Sequence, residues 1–201
     1  MPWIKTISFD KATGKLKQLY NRVKGPGNNI DNILKVHSLR PHTLQGHMGI
    51  YKNVLHHKDN SLPKWYLETI GVYVSHLNQC NYCVLHHAEG LRKLFGDDEH
   101  WDAVMQALKN EKPEIVFDGK YLAGIYYAKT LTLAPGNINQ KHAKLLSHAG
   151  FDDGEILELN QVISYFAYAN RTVLGLGVTT DGDILGLSPN DNDDEENWAH
   201  T

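Results

Sequence analysis

Apolar residues recur along the chain with the three-to-four-residue period of an amphipathic helix. In the segment that follows Pro41, the residues Leu44, Met48, Tyr51 and Leu55 fall on a single stripe. No stretch of useful length alternates with the period of two that a half-buried strand shows. The pattern therefore predicts an all-α fold, a single-domain helical bundle.

Turn residues and helix caps divide this pattern into successive helices. Proline in a first turn and glycine just past a last turn are usual helix boundaries. The predicted helices cover residues 10–23, 30–37, 41–57, 63–77, 79–95, 98–108, 118–133, 138–148 and 154–174. The helical domain is predicted over 1–187, and a short, irregular, acidic tail over 188–201. A tryptophan near the end of that polar tail leaves open whether the tail docks on the body.

Composition narrows the class of protein. The 201 residues suffice for one domain with a core, and 41% are apolar and 21% charged, as in ordinary globular proteins. A net charge of −3 shows no basic excess, so no nucleic-acid partner is expected. No apolar run reaches the roughly 20 residues of a membrane span, and the first residues lack the layout of a secretory signal. We therefore expect a cytoplasmic protein with no membrane association.

The only two cysteines, Cys80 and Cys83, are three residues apart. A structural disulfide stabilises most when it closes a long loop, and this pair would close a very short one. In a reducing cytosol such a pair indicates a redox-active or metal-binding site.

A helical wheel places His87 beside the sulfurs. With Cys80 at zero, Cys83 falls at about 300° and His87 at about 340°, whereas His86 falls at about 240°, off to the side. If Asn78 caps this helix, both cysteines lie in its first two turns, where free N–H groups favour a thiolate. The His87 imidazole can take the thiol proton, as in other Cys–His pairs.

The spacing also suggests a role for Glu68. On one unbroken helix it would lie about 18 Å from Cys80. A chain reversal at Asn78 instead makes two antiparallel helices, in which Glu68 and His87 are nearly equidistant from the turn. We therefore predict a carboxylate–imidazole relay between Glu68 and His87.

Other interpretations of the same residues stay open. Cys80, Cys83 and His87 could supply three ligands of a zinc site in a non-enzymatic helical module, with a distant fourth ligand. The cysteines could also be inert small hydrophobes. A general disulfide oxidoreductase or redox sensor would use the same site with a different substrate. Glu68 and His87 alone could carry out acid–base chemistry on a small organic ring.

The motif resembles that of the alkyl hydroperoxidase D family, within the carboxymuconolactone decarboxylase-like superfamily. That family has a glutamate followed about a dozen residues later by C-x-x-C-x-x-x-H, and here Glu68 precedes CNYCVLHH at 80–87. The resemblance is strongest over 63–96. More weakly, the whole chain resembles the peroxidase-related branch, which shares an Asn-Arg pair (170–171), a Leu-Gly-Val run (176–178) and a tail with Trp and His.

The resemblance implies a thiol-dependent peroxidase that reduces alkyl hydroperoxides and assembles as a homo-oligomer. Cys83 would attack the peroxide, Cys80 would resolve the sulfenic acid as a disulfide, and His87 and Glu68 would pass protons. No resident cofactor or metal is implied. A thiol or dithiol would act as reductant, such as the lipoylated partner of the best-known family member.

Two differences separate this chain from other members of the superfamily. The alkyl hydroperoxidase itself has a histidine between the cysteines, and this chain has Tyr82 there, so a weaker proton relay or a different substrate is expected. The lactone decarboxylase branch lacks the cysteine pair, which makes it the weaker analogy.

Overall fold

A computed structural model describes residues 2–189 and 197–201, and these residues form nine α-helices and no strand. The helices are α1 (Gly14–Val23), α2 (Asn32–Lys35), α3 (Pro41–Leu55), α4 (Lys64–Leu77), α5 (Asn81–Phe95), α6 (Asp98–Lys109), α7 (Gly119–Leu133), α8 (Gln140–His148) and α9 (Asp153–Leu176). The all-α prediction is confirmed. None of these helices has both the length and the apolar character needed to cross a bilayer.

Helix α4 is the centre of the bundle. Every residue from 66 to 75 is buried, so this helix has no solvent-facing side over its middle turns. It packs against α5, α7 and α9. A helix that is covered all round belongs in a core, and any charged group on it must find its partner inside the protein.

The first turns of several helices start later than the periodicity predicts. Helix α1 begins at Gly14 rather than at residue 10, because Thr13 is extended and a short 3₁₀ turn precedes it. Helix α8 begins after Asn139, whose side chain accepts a hydrogen bond from the Lys141 amide. Asp152 caps α9, and Glu155 completes the capping box.

The junction between α4 and α5 differs from the prediction that Asn78 caps the second helix. Asn78 instead ends α4, and Gln79 takes a left-handed conformation with φ 57°. The Cys80 amide donates to Ser75 O at 2.8 Å and the Gln79 amide to His76 O at 2.9 Å, which is the Schellman pattern. The reversal therefore falls two residues later, and Cys80 itself is the N-cap of α5.

The last described residues dock on the body, which answers the question left open for the tail. Trp198 is 6% exposed and lies 3.7 Å beneath the Arg22 guanidinium. The Lys52 ammonium donates to Asn197 O at 2.8 Å, and Thr201 exchanges backbone hydrogen bonds with Ser188. The acidic run predicted within this tail, residues 190–196, lies outside the described residues.

Close packing of α4 on α9 depends on a glycine. A Cβ added at Gly71 would overlap the Phe166 ring. We expect Gly71→Ala to lower the free energy of unfolding by about 1–3 kcal/mol, because the core must shift to make room. Gly46, on α3, has open space around it, and Gly46→Ala should raise stability by up to about 1 kcal/mol. Denaturant unfolding measures both, and equal effects would contradict the packing argument.

Candidate active site

Antiparallel packing of α4 and α5 brings Glu68 and His87 into contact. The His87 Nδ1 atom lies 2.7 Å from Glu68 Oε2, although the residues are 19 apart in sequence. The contact expected from their equal distance to the turn is therefore present. Edge-on contacts from Phe166, at 4.6 Å between ring centroids, and Tyr51, at 6.1 Å, hold the imidazole plane.

Glu68 is a buried carboxylate that faces two histidines. Burial raises the pKa of its carboxyl, but the charge and hydrogen bond of His87, with a further contribution from His56, bring the pKa below its ordinary value. His56 Nε2 lies 4.0 Å from the second carboxylate oxygen, Oε1. Both oxygens thus face imidazoles, which keeps the carboxylate ionised inside the core.

The two sulfurs are reduced and form a hydrogen-bonded pair. The Cys83 thiol donates to the Cys80 sulfur and lowers the pKa of Cys80 against the effect of burial, with a smaller contribution from the Cys83 backbone. The same bond, together with burial, raises the pKa of the Cys83 thiol. The pair therefore carries one negative charge most easily on Cys80, at the N-cap of α5.

Asn170 on α9 supports this pair. Its side chain is fully buried and lowers the pKa of both thiols by hydrogen bonding. It also donates to Ser75 Oγ at 3.0 Å and accepts from Asn78 Nδ2 at 2.9 Å. These bonds tie the end of α4, the start of α5 and the C-terminal half of α9 together at the sulfurs. The sequence pattern marked the Asn-Arg pair without giving this asparagine a role.

A cavity of about 310 Å³ opens beside Cys83. Cys83 is 3% exposed and lines it, whereas Cys80 is fully buried behind the wall. Glu68 and His87 line the same space. The remaining wall is rich in aromatic and imidazole groups and includes the following side chains: Tyr51, Tyr165, His47 and His200. A molecule in the cavity can therefore reach only one of the two sulfurs.

Two of the wall histidines are neutral. Burial lowers the pKa of His47 to about 3, with the charges of His37 and His200 acting in the same direction. Burial likewise lowers the pKa of His200 to about 4, although hydrogen bonds to the Val23 and Trp198 backbone partly oppose it. Neither ring was predicted at the site, because only the fold brings residues 47 and 200 to the same cavity.

His86 also lines the cavity. The helical wheel places this residue off to the side of the sulfurs, and that side of α5 borders the cavity as well. Its Nε2 atom lies 3.3 Å from Asp183 Oδ2. Asp183 comes from the segment after α9, where the sequence shows no periodicity, so no local signal indicated it. Tyr82, between the cysteines, donates its hydroxyl to the same Asp183 oxygen at 2.7 Å.

The part of the chain that the structure describes contains no set of metal ligands. Within residues 2–189 and 197–201, no group of three or more His, Cys, Asp or Glu side chains is arranged to hold a metal ion. The zinc interpretation of Cys80, Cys83 and His87 therefore gains no support from their geometry.

Comparison with solved structures identifies the fold. No protein-family model matches the sequence, and no curated protein matches it significantly. A peroxidase-related protein from Silicibacter sp. TM1040 aligns with a TM-score of 0.67 and 23% identity, over 75% of this chain and 76% of the other. A peroxidase-related protein from Ralstonia eutropha JMP134, described as an alkylhydroperoxidase AhpD core, aligns with a TM-score of 0.75 and 18% identity, over 90% and 93%. This chain has the alkyl hydroperoxidase D-like fold.

Another protein with this architecture carries a different activity. The apo debrominase Bmp8 aligns with a TM-score of 0.69 and 14% identity, over 88% of this chain and 91% of its own. A second structure of Bmp8 is a cysteine-to-alanine variant in complex with 2,3,4-tribromopyrrole. The alkyl hydroperoxidase D-like fold thus does not by itself determine the substrate, which has to be argued from the site.

The Glu68–His87 contact has a consequence for acid stability. Because the folded pKa of Glu68 lies below its ordinary value of 4.5, ionised Glu68 contributes stability above that pH. The contribution is lost as the pH falls through the folded pKa. We expect the difference in free energy of unfolding between wild type and Glu68→Gln to shift in favour of the variant as the pH falls from neutral to below 4.5. Denaturant unfolding at a series of pH values measures this.

A matched control removes an exposed carboxylate. Glu99 lies on the surface of α6, and Glu99→Gln should follow the wild-type pH dependence closely. A Glu68→Gln variant that kept a constant difference from wild type across this pH range would contradict the electrostatic account of the pair.

Proposed function

We propose that this protein is a thiol-dependent peroxidase that reduces alkyl hydroperoxides through Cys83 and Cys80. The observation that carries the proposal is that Cys83 and His87 line the same cavity, with the His87 ring in contact with the Glu68 carboxylate. Cys80 lies outside the cavity, within hydrogen-bonding reach of Cys83. The site residues expected from the sequence, Cys83, Cys80, His87 and Glu68, supply each group that this chemistry requires.

The first step is attack by Cys83. His87, oriented by Glu68, takes one proton from the thiol pair, and the remaining proton moves from Cys83 to Cys80 along their hydrogen bond. The Cys83 thiolate then attacks the terminal oxygen of the peroxide. An S–O bond forms and the O–O bond breaks, so that sulfur is oxidised by two electrons and the RO fragment leaves as the alcohol after taking a proton.

The second step uses Cys80 as the resolving residue. Its sulfur attacks the Cys83 sulfenic acid, an S–S bond forms, and the S–O bond breaks. The hydroxide leaves as water with the proton that Cys80 gives up. A thiol or dithiol reductant then returns the disulfide to two thiols and becomes a disulfide itself. Assembly as a homo-oligomer and a lipoyl-type reductant stay predictions.

Single-cysteine variants test the two roles. We expect Cys83→Ser to lose turnover of tert-butyl hydroperoxide, because among the described residues Cys83 is the one that brings a sulfur to the cavity wall. Cys80→Ser should react once, accumulate a Cys83 sulfenic acid that dimedone traps, and form no intramolecular disulfide. Thiol titration and mass mapping after substoichiometric peroxide distinguish these products. Full turnover in Cys83→Ser would reject the assignment. Dithiol exchange much faster than peroxide reduction in wild type would favour a general disulfide oxidoreductase.

Reductive dehalogenation of an aromatic ring is a second candidate. The observation that favours it is the cavity, which lies within the size range of small-molecule sites and has Tyr51, Tyr165 and His47 in its wall. The same two thiols would supply the two electrons, so that a carbon–bromine bond becomes carbon–hydrogen, bromide leaves and the cysteines form a disulfide.

Bromide release measures this activity. Wild type with excess dithiol and a brominated pyrrole should release free bromide in proportion to dithiol consumed, and Cys83→Ser should release none. If bromide release exceeds peroxide reduction, as measured by the ratio of kcat/KM values, dehalogenation becomes the primary assignment. Absence of bromide release beside active peroxide reduction would remove this candidate.

A further inference from the structure

We propose that His86, positioned by Asp183, is a second proton donor at this site and protonates the alkoxide that leaves when the O–O bond breaks. The inference rests on the proposed peroxidase function and deepens it. Cys83 precedes His86 by three residues and His87 by four, so both rings lie one helical turn beyond the sulfur. Both line the cavity that Cys83 faces.

Each of the two imidazoles has its own carboxylate. Glu68 on α4 contacts His87 at 2.7 Å, and Asp183 from the segment after α9 lies 3.3 Å from His86 Nε2. The His86 Nε2 atom is buried and makes no hydrogen bond among the described residues, so Asp183 faces it as a nearby charge. A carboxylate at this distance can orient the ring, as in other carboxylate–histidine pairs.

Hydrogen bonds from two residues fix the carboxylate of Asp183 in place. Its side chain is fully buried, and both oxygens accept from the Asn32 amide at 3.0 Å. The Tyr82 hydroxyl donates to Oδ2 at 2.7 Å, and the Tyr82 ring lies 4.6 Å from the His86 ring. Burying a carboxylate costs free energy, and hydrogen bonds to both of its oxygens fix its orientation. A carboxylate with a fixed orientation can in turn orient a neighbouring imidazole, which suits a positioning residue.

This arrangement accounts for Tyr82 between the cysteines. A tyrosine there cannot exchange protons near neutral pH, because burial raises its pKa well above the ordinary value and the charge of Asp183 raises it further. Its hydroxyl instead holds the carboxylate that faces His86. The chain thus places a second imidazole three residues after Cys83, where the helix brings it to the cavity.

Two relays separate two opposite proton transfers. The thiol pair must lose a proton before attack, and the alkoxide must gain one as it leaves. In this scheme His87 accepts the first proton and His86 donates the second, so the two transfers do not compete for one ring. When the disulfide has formed, the proton that His87 holds restores His86 and the count of protons closes.

The test compares two oxidants whose leaving groups differ. tert-Butyl hydroperoxide releases a strongly basic alkoxide that needs a proton, whereas peracetic acid releases a carboxylate that does not. In single-turnover stopped-flow experiments, His86→Gln should slow oxidation by tert-butyl hydroperoxide by about 100-fold or more. Oxidation by peracetic acid should change by no more than a few-fold. His87→Gln should slow both oxidants, because it acts on the thiol.

Further variants keep the test independent of folding. Asp183→Asn and Tyr82→Phe should show the same selective loss to a smaller extent, which a merely structural defect would not produce. His42→Gln, at an exposed position on α3, is the control and should leave both rates unchanged. Circular dichroism and thiol counts confirm that each variant is folded.

Three outcomes would overturn the inference. One is an equal loss, or no loss, with both oxidants in His86→Gln. The second is a selective slowing of oxidation by tert-butyl hydroperoxide in Asp31→Asn rather than in His86→Gln. Asp31 is the alternative acid, because it lines the cavity and burial raises the pKa of its carboxyl to about 6. The third is wild type that is oxidised by neither peroxide, which rejects the proposed function itself and is recognised without any variant.

Discussion

The site depends on one buried charge, the Glu68 carboxylate on the central helix. Because the middle of α4 is buried and Glu68 is only 3% exposed, this carboxylate must be balanced by groups on neighbouring segments. His87 supplies a hydrogen bond and His56 faces the second oxygen. The requirement fixes the register of α5 against α4, since a slip of one residue would turn His87 away from the carboxylate. The position of Cys83, one turn before His87, follows from that register.

The α4–α5 turn gives the two cysteines different surroundings and, in the proposed chemistry, different roles. A left-handed Gln79 allows the Schellman hydrogen bonds and delivers Cys80 to the N-cap, where the Cys83 thiol and backbone lower its pKa. Cys83, three residues on, faces the cavity. The more acidic sulfur is therefore the hidden one, and the accessible sulfur holds the proton. In the proposed chemistry this means that charge must move from Cys80 to Cys83 before attack, and that a good nucleophile is left in place to resolve the product.

The periodicity of apolar residues and the helix caps predict most of this fold, because α-helices are short-range structures. The Glu68–His87 contact could also be predicted, since a single turn joins the two helices and residues equally far from it must face each other. The error at Asn78 has a local cause: an asparagine is a good cap at either end of a helix, and the left-handed Gln79 has no sequence signal of the kind that glycine gives. Asp183 and His200 could not be predicted, because they reach the site from irregular segments whose course depends on tertiary contacts with partners about a hundred or more residues away.

The segments that the sequence pattern leaves unassigned complete the cavity. Leu187, Ser188, His200 and Thr201 form one wall, and the burial of Trp198 under Arg22 anchors them. This wall encloses the same cavity as Cys83, Tyr51 and Tyr165, and charge–imidazole interactions are stronger in such a protein-lined space than in bulk water. In the proposed chemistry the reactivity of the Cys83 thiolate depends on the two imidazoles, His86 and His87, that line the same cavity. The bundle supplies the helix that carries both rings, and the irregular segment after α9 supplies Asp183, the carboxylate that lies beside the second ring.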